Sequence, residues 1–357
     1  MSGTDPHRHH HRDTLLALRR PDGTAMAQVE VTLAQRSHAF PFANIGFDFV
    51  GLANGDDPTA AGSDVFGSAD PASARQLADL WAGGLQHRDA ALLLAVLRAG
   101  PRTAGHRAAP ARRALVPRAR GLVETWDAVN EAGIMPVFSN EETHNAVTRL
   151  CRRNGRIATV LLAFEEARRA DPGVTLVLND FDMSTAYECL IEGVLEAGIT
   201  IDALGLQSHM HQGYWGEEKT LDVIERFARY GLPLHFTETT LLSGDLMPEH
   251  VVDLNDYQPA QWPSTPEGEV RQADEIVRHY RLLLSQRSVQ SVTYWGITDQ
   301  GSWLGAPAGL VRADGSIKPA YDALRRLVKE EWWVPPTRLR TDAAGQVAVR
   351  GWAGEYR

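Results

Sequence analysis

The chain has 357 residues, 43% hydrophobic and 23% charged, a composition that excludes global disorder and leaves room for one large core or two domains. Its formal net charge of -9 argues against a general nucleic-acid surface, because phosphate binding needs clustered basic groups, and suits a neutral or cationic ligand better. Its two cysteines, Cys151 and Cys189, have neither disulfide-framework nor metal-ligand spacing and read as ordinary packed or half-buried thiols.

Residues 1–12 carry His7, His9, His10 and His11 among arginines; nothing in the pattern fixes a metal geometry, so they read as a disordered, solvated tail. No apolar signal core follows Met1 and no run is long enough to span a bilayer, so the chain as written is expected to stay where it is made, with no membrane partner. Over 13–39, strand-like runs from Thr14 to Leu18 and from Val29 to Leu33 flank the turn Pro21-Asp22-Gly23-Thr24, which predicts a β-hairpin. Residues 335–357 repeat the idea, with Thr337 to Thr341 and Gln346 to Arg350 around Asp342-Ala343-Ala344-Gly345. Neither hairpin is stable alone, so the two are expected to pair into a small accessory sheet.

The intervening unit, 40–334, alternates strands and helices from Gly121 to Leu327. Apolar, β-rich runs recur at Val123 to Val129, Thr175 to Leu178, Ala203 to Leu206, Pro233 to Thr237 and Val292 to Trp295. Helical patterns fill the gaps at Asn145 to Arg153, Ile157 to Arg169, Tyr187 to Ala197, Leu221 to Tyr230 and Glu267 to Ser285. The last has a start signal in Ser264-Thr265-Pro266-Glu267, with a capping hydroxyl, a proline near the first helical position and a glutamate three after the serine. Such alternation predicts a parallel sheet covered by helices, open or closed into a barrel. The segment from Gly84 to Arg120 differs from its neighbours in composition, with eight arginines, no lysine, one acid (Asp89) and no aromatic. Taken at face value it is a basic amphipathic helix, Asp89 to Leu97, and a Pro/Arg-rich loop.

Two of the strand-like runs end in carboxylates. Trp126-Asp127-Ala128-Val129-Asn130-Glu131 delivers Glu131, and Leu234-His235-Phe236-Thr237-Glu238 delivers Glu238. Each alone could be a surface glutamate at a strand end. Together they are the equipment of glycoside hydrolysis, which needs one protonated carboxyl for the leaving oxygen and one ionised carboxylate to attack the anomeric carbon. Burial raises one pKa while hydrogen bonding to the charged form holds the other down. Glu131, beside Trp126 and Asn130, is the candidate acid; Glu238, within hydroxyl-rich Thr237-Glu238-Thr239-Thr240, is the candidate nucleophile. Further strand-end runs, from Gly205 to Trp215 and from Tyr294 to Asp299 with Ser302-Trp303, supply indoles for sugar C–H faces and amides and imidazoles for hydroxyls. In a barrel these strand ends converge on one mouth.

Five runs, Trp126 to Glu131, Asn179-Asp180-Phe181, Gly205 to His209, Phe236-Thr237-Glu238, and Trp295 to Asp299 with Ser302-Trp303, resemble the strand-end motifs of the family 10 glycoside hydrolases, in family order. The resemblance covers about Gly121 to Leu327, and Phe40-Pro41-Phe42 less well. It implies a (β/α)8 TIM-type barrel and retaining endo-acting hydrolysis of β-1,4-xylan or xylo-oligosaccharides, with Glu131 as acid/base and Glu238 as nucleophile. By position it further implies Asn130 as a donor to the sugar, His209 as partner of the nucleophile, Gln207 as a supporting polar group, and Trp295 and Trp303 as the sugar platform. The implied partner is a β-1,4-linked polysaccharide or oligosaccharide, with no metal and no cofactor. The family often carries an aspartate two positions after the nucleophile to orient that histidine; here Thr240 stands instead, which loosens the expected tautomer of His209.

A larger departure is that the family's second- and third-strand motifs, a Phe-Tyr-Trp run and a Lys-Gly-His run, are absent between Gly51 and Gly121. Only 84 residues separate Phe42 from Trp126 for three strand-to-strand steps, whereas Trp126 to Val177 takes 51. The expectation is therefore a barrel incomplete at strands two and three, and a catalytically impaired carbohydrate-binding remnant is the alternative function. As a hypothesis, the arginine-rich segment arises in part from a shifted reading frame: synonymous codons for Gly84 to Ala99, read one nucleotide later, can encode a Leu-Pro-Phe-Tyr-Trp run resembling the family's second strand. Sequencing the gene across these codons tests it. The shifted frame should read as that strand, and codons incompatible with it would end the idea.

Overall fold

The computed structural model of the protein describes residues 5–45, 76–77, 79–80, 124–138, 146–300 and 302–357. The arginine-rich segment 84–120, with the helix expected from Asp89 to Leu97, lies outside the described residues. Four strands open the described chain: β1 (His11–Ala17), β2 (Glu30–Leu33), β3 (Gln35–His38) and β4 (Phe42–Asn44). The alternating unit follows as β5 (Thr125–Asn130), α1 (Ala146–Asn154), α2 (Arg156–Ala170), β6 (Thr175–Asp180), α3 (Thr185–Glu196), β7 (Ala203–Leu206), β8 (His209–Met210), α4 (Gly216–Ala228), β9 (Leu234–Leu241), α5 (Pro266–Ser285), β10 (Val289–Tyr294) and α6 (Pro319–Arg326). Three further strands close the chain, β11 (Thr337–Arg340), β12 (Gln346–Trp352) and β13 (Gly354–Tyr356).

The central sheet runs in the order β4-β10-β9-β7-β6-β5, with β8 paired to β9. Every neighbouring pair along it is parallel. Pairing of β4, the earliest strand of this sheet, with β10, the latest, is what curls the sheet toward closure, because a doubly covered open sheet would leave these two as separate edges. The sheet is an incomplete (β/α)8 barrel. Its six consecutive parallel strands are described, and the second and third strand positions fall between β4 and β5, outside the described residues. All residues of β7 and all but the first of β6 are buried, as expected when side chains face a packed interior on one side and helices on the other.

The helices form for local reasons that the sequence carries. On α5, Thr265 accepts from the Gly268 backbone N–H at 3.0 Å, Pro266 occupies the first turn, and Glu267 and Glu269 sit at the positive end of the helix dipole. Its buried face, Gln272, Ile276, His279, Tyr280, Leu283 and Leu284, repeats at three- and four-residue spacing and turns one stripe to the sheet. On α3, Ser184 caps by accepting from the Ala186 N–H at 3.1 Å.

The termini depart from the expected hairpins. β1 pairs with β12, β2 with β11, and β3 with β13, all antiparallel. Each N-terminal strand thus takes a C-terminal partner, with His11 opposite Trp352 and Leu33 opposite Thr337. Both turns form, with Gly23 N–H donating to the Arg20 carbonyl and Gly345 N–H to that of Asp342, each near 3 Å, but the strands leaving them diverge to partners from the opposite terminus. The expected disordered tail is also corrected over residues 5–12. Arg8–His10 form a 3₁₀ turn and His11 enters β1. His10 Nε2 lies 2.9 Å from the Leu284 carbonyl, and the His10 ring meets Phe40 edge-on at 5.3 Å. Burial pushes the His10 imidazole down to about 4, so at neutral pH it packs as an uncharged ring. Trp332, 1% exposed, stacks on Phe42 at 5.5 Å and joins this terminal layer to the barrel. Both cysteines are free; Cys151 is buried as expected, whereas Cys189 is exposed, because it falls off the buried stripe of α3.

Candidate active site

The C-terminal ends of β5, β6, β7 and β9 bring polar side chains together through one residue, Asn179. It is fully buried at the end of β6. Its Oδ1 accepts from the Thr237 hydroxyl at 2.7 Å, which fixes the amide's orientation, and its Nδ2 donates to Asn130 Oδ1 at 2.7 Å and Glu238 Oε1 at 3.2 Å. The neighbouring strand must make room: a Cβ on Gly205 would lie 2.3 Å from Asn179 Oδ1, so only glycine fits opposite this amide. Glu238 itself is 3% exposed. Its second oxygen, Oε2, lies 3.0 Å from His209 Nε2, so both oxygens of a buried carboxylate have donors, the condition for keeping one there.

Glu131 follows β5 with φ of 56°, the left-handed region that costs a side-chain-bearing residue on the order of 1–2 kcal/mol. Two bonds across to β6 hold it: Glu131 N–H donates to the Asn179 carbonyl at 2.8 Å, and Gly133 N–H to Asp180 Oδ2 at 2.9 Å. The conformation turns the carboxyl toward Gln207, whose Nε2 donates to Glu131 Oε1 at 3.2 Å and to Asn130 Oδ1 at 3.0 Å. Glu131, Gln207, Asn130, Asn179 and Glu238 therefore form one continuous chain of hydrogen bonds. Burial, and then the charge of Glu238, push the Glu131 carboxyl above its ordinary range. A third carboxyl, half-buried Asp127, lies 3.5 Å from Asn179 Nδ2. Burial and the Glu238 charge push it up to about 8. With the Asn179 amide hydrogens directed at closer acceptors, Asp127 has the weakest claim on a donor and carries its proton instead.

On the other side of Glu238, His209 sits between two indoles, with ring centroids 5.3 Å from Trp295 and 5.2 Å from Trp303. Trp295 is held at its backbone by donation to the Thr239 carbonyl at 2.8 Å. The loop carrying Trp303 is pinned by a buried ion pair: Lys318 Nζ donates to Asp299 Oδ1 at 2.7 Å and to the Ser243 hydroxyl at 2.8 Å, and Gly309 N–H donates to the same Asp299 oxygen at 2.9 Å. Burial pushes Asp299 up and Lys318 down, and their mutual attraction opposes both shifts. Behind Trp303 lies His211, 1% exposed, its ring edge-on to the indole at 5.2 Å. Burial, then His209, lower it to about 3.

The structure thus gathers all seven residues singled out in the sequence. Glu131, Asn130 and Gln207 lie on one side of Asn179; Glu238, His209, Trp295 and Trp303 lie on the other. Asn130 is exposed at its strand end, while Gln207 and Glu238 are buried. Sequence reasoning passed over Asn179 and Asp127 as site residues. The signal for Asn179 was available: two consecutive polar residues, Asn179-Asp180, directly after the apolar Leu176-Val177-Leu178, mark a strand end carrying more than solvation requires. No such signal distinguishes Asp127, which looks like the polar half of an alternating strand. Among the described residues there is no cluster of His, Cys, Asp or Glu that could hold a metal ion.

Comparison with known proteins gives a family match. The sequence profile of Glycosyl hydrolase family 10 matches residues 113–327. The chain is 29% identical over 210 residues to an endo-1,4-beta-xylanase/feruloyl esterase of Xylanibacter ruminicola, covering 54% of this chain and 28% of that protein. It is 28% identical over 196 residues to an endo-1,4-beta-xylanase of Geobacillus stearothermophilus (53% and 56%), and 26% identical over 237 residues to endo-1,4-beta-xylanase B of Thermotoga neapolitana (61% and 60%). The chain therefore spans less than two thirds of the length of each of these relatives. Among solved structures, xylanase 10B of Thermotoga petrophila in complex with xylobiose is similar at 22% identity and a TM-score of 0.48, covering 62% of this chain and 64% of that one. The GH10 structure from Paenibacillus barcinonensis is similar at 27% identity and the same TM-score, covering 62% and 67%.

The raised Asp127 predicts a specific pH dependence of stability. Between the unfolded value near 4 and the folded value of about 8, the folded state holds a proton that the unfolded state has lost, so stability falls as pH rises through this window. Asp127→Asn removes the penalty. Its thermal midpoint should exceed that of the parent by a few degrees at pH 8 and match it at pH 4; equal midpoints at both would contradict a protonated Asp127.

Proposed function

Because the chain belongs to glycosyl hydrolase family 10, we propose that it cleaves β-1,4-linked xylan or xylo-oligosaccharides internally and with retention, using Glu131 as acid/base and Glu238 as nucleophile. The observation that carries this reading is the contrast between the two carboxyl environments. Glu131 is pushed upward by burial and by the Glu238 charge, which suits a group that must still hold a proton near neutrality. Glu238 accepts from Asn179 at one oxygen and lies against His209 at the other, which suits a carboxylate aimed at a carbon. In the first step Glu238 attacks the anomeric carbon as the bond to the leaving oxygen breaks, and the proton of Glu131 passes to that oxygen. In the second, Glu131 takes a proton from water as the water displaces Glu238.

The remaining residues bind and orient. Trp295 and Trp303 offer apolar ring faces to the sugar on the nucleophile's side. Asn130, its Oδ1 engaged by Asn179 and Gln207, keeps its exposed amide hydrogens for a sugar hydroxyl. Gln207 steadies Glu131. The scheme needs no metal or organic cofactor, and its partner is the polysaccharide alone. We take 40–334 as the catalytic unit, with 13–39 and 335–357 supplying the accessory strands. A second reading, a carbohydrate-binding remnant of impaired activity, draws on the missing second- and third-strand motifs, since binding energy lost from that side of the sugar is lost to the transition state.

Kinetics on an aryl β-xylobioside with an activated leaving group separate the two. Glu238→Ala should lower turnover by roughly 10⁴-fold or more. Glu131→Ala should keep the first step with this leaving group, slow the second, and recover with added azide, giving the β-glycosyl azide. Because Glu131 titrates high, the basic limb of the parent's pH profile should lie above the ordinary glutamate range and vanish in Glu131→Ala. Equal, negligible rates for the parent and Glu238→Ala would favour the remnant.

A further inference from the structure

His209 has one partner besides the nucleophile. Its Nδ1 lies 3.0 Å from the hydroxyl of Thr240, and its Nε2 3.0 Å from Glu238 Oε2. Thr240 follows Glu238 by two positions on β9, where side chains alternate, so both residues point to the same face and reach the same imidazole. Thr240 is completely buried. Among the described residues its hydroxyl hydrogen has one acceptor within reach, His209 Nδ1. A buried hydroxyl that fails to donate costs about 1–3 kcal/mol, and Nδ1 can accept only if it carries no proton. The hydrogen on the ring must then sit on Nε2, where Glu238, an acceptor when ionised, requires it.

We propose that Thr240 is a positioning residue that fixes His209 as the neutral imidazole protonated on Nε2, so that the nucleophile is held by a hydrogen bond and not by a cation. The direction of each bond follows from its neighbours: Thr240 donates to Nδ1, and Nε2 donates to Glu238. A carboxylate beside Nδ1 would reverse the first bond, keep both ring nitrogens protonated and set a positive charge against Glu238. The titratable groups facing His209 among the described residues are Glu238 from β9, Glu131 from the end of β5 and His211 just after β8. His211 is kept uncharged by its burial, so it adds no cation. The hydroxyl at position 240 therefore decides whether the nucleophile's side of the site carries a positive charge.

The kinetic half of this proposal rests on Glu238 as nucleophile, while the tautomer can be read without turnover. The test is ¹⁵N NMR of the full chain's imidazoles at neutral pH, with the His209 signals assigned by their loss in His209→Gln, alongside kcat/KM against pH for Thr240→Ser, Thr240→Val and Thr240→Asp. The parent and Thr240→Ser should give one protonated nitrogen, Nε2, and overlapping pH profiles. Thr240→Val should lower kcat/KM by about tenfold, the loss of one hydrogen bond, with KM changed less than kcat. Thr240→Asp should show both nitrogens protonated and move the acid limb of the profile to lower pH by about one unit, since the positive end of the new pair lies nearer Glu238. An imidazolium or an Nδ1–H tautomer in the parent would overturn the proposal. So would an unchanged ring protonation in Thr240→Asp, or a Thr240→Ser variant behaving like Thr240→Val. If Glu238 is not the nucleophile, the tautomer result stands and the acid limb fails to follow it, which separates the two failures.

Discussion

A buried carboxylate survives only where fixed donors replace the water it has lost, and here that requirement centres on one amide. Asn179, fully buried, takes a hydrogen from Thr237 so that it can give its own to Glu238 and Asn130. The residue's backbone carbonyl receives the N–H of Glu131, so the same residue holds both carboxyl-bearing strand ends in register. Its demand for space sets the residue opposite, since any side chain at Gly205 would meet it. Three strands are thereby committed to one arrangement before any substrate is considered.

That arrangement places three carboxyl groups, Asp127, Glu131 and Glu238, where ionising all of them would be prohibitive, and the donors decide which is charged. Asn179 and His209 are spent on Glu238; Asp127 and Glu131 are left to burial and to the Glu238 charge, and both move upward. The left-handed backbone at Glu131 belongs to the same account: it stores strain at the residue whose carboxyl must face Gln207, and the bonds from β6 offset it. The indole wall is a separate unit, held by the buried Lys318–Asp299 pair, where removal of either partner would strand a charge.

What the sequence made legible follows from where the controlling interactions lie. Parallel strands read well because apolar runs such as Leu176-Val177-Leu178 are buried whatever their neighbours do. The start of α5 read well because its cap, Thr265 with Pro266, is local. The glutamates were visible as strand-end motifs. Pairing between the termini was legible, but its exchange of strands was not, because β1 meets β12 across more than 300 residues, and nothing in a hairpin-like turn excludes a distant partner. The histidines at 7 to 11 read as a solvated tail because their role depends on Trp332 and Trp352, which are distant in sequence. Thr240 registered only as a missing acid, since its buried hydroxyl and its distance to His209 are properties of the fold.

The central claim is that Glu238 attacks carbon while Glu131 moves protons, and it fixes the stereochemistry of the product. Proton NMR of xylo-oligosaccharide hydrolysis in its first minutes, before mutarotation, reads this directly. The account predicts that the new reducing end appears first as the β-anomer and only later equilibrates. Initial appearance of the α-anomer would mean that water attacks the sugar directly, and would contradict it.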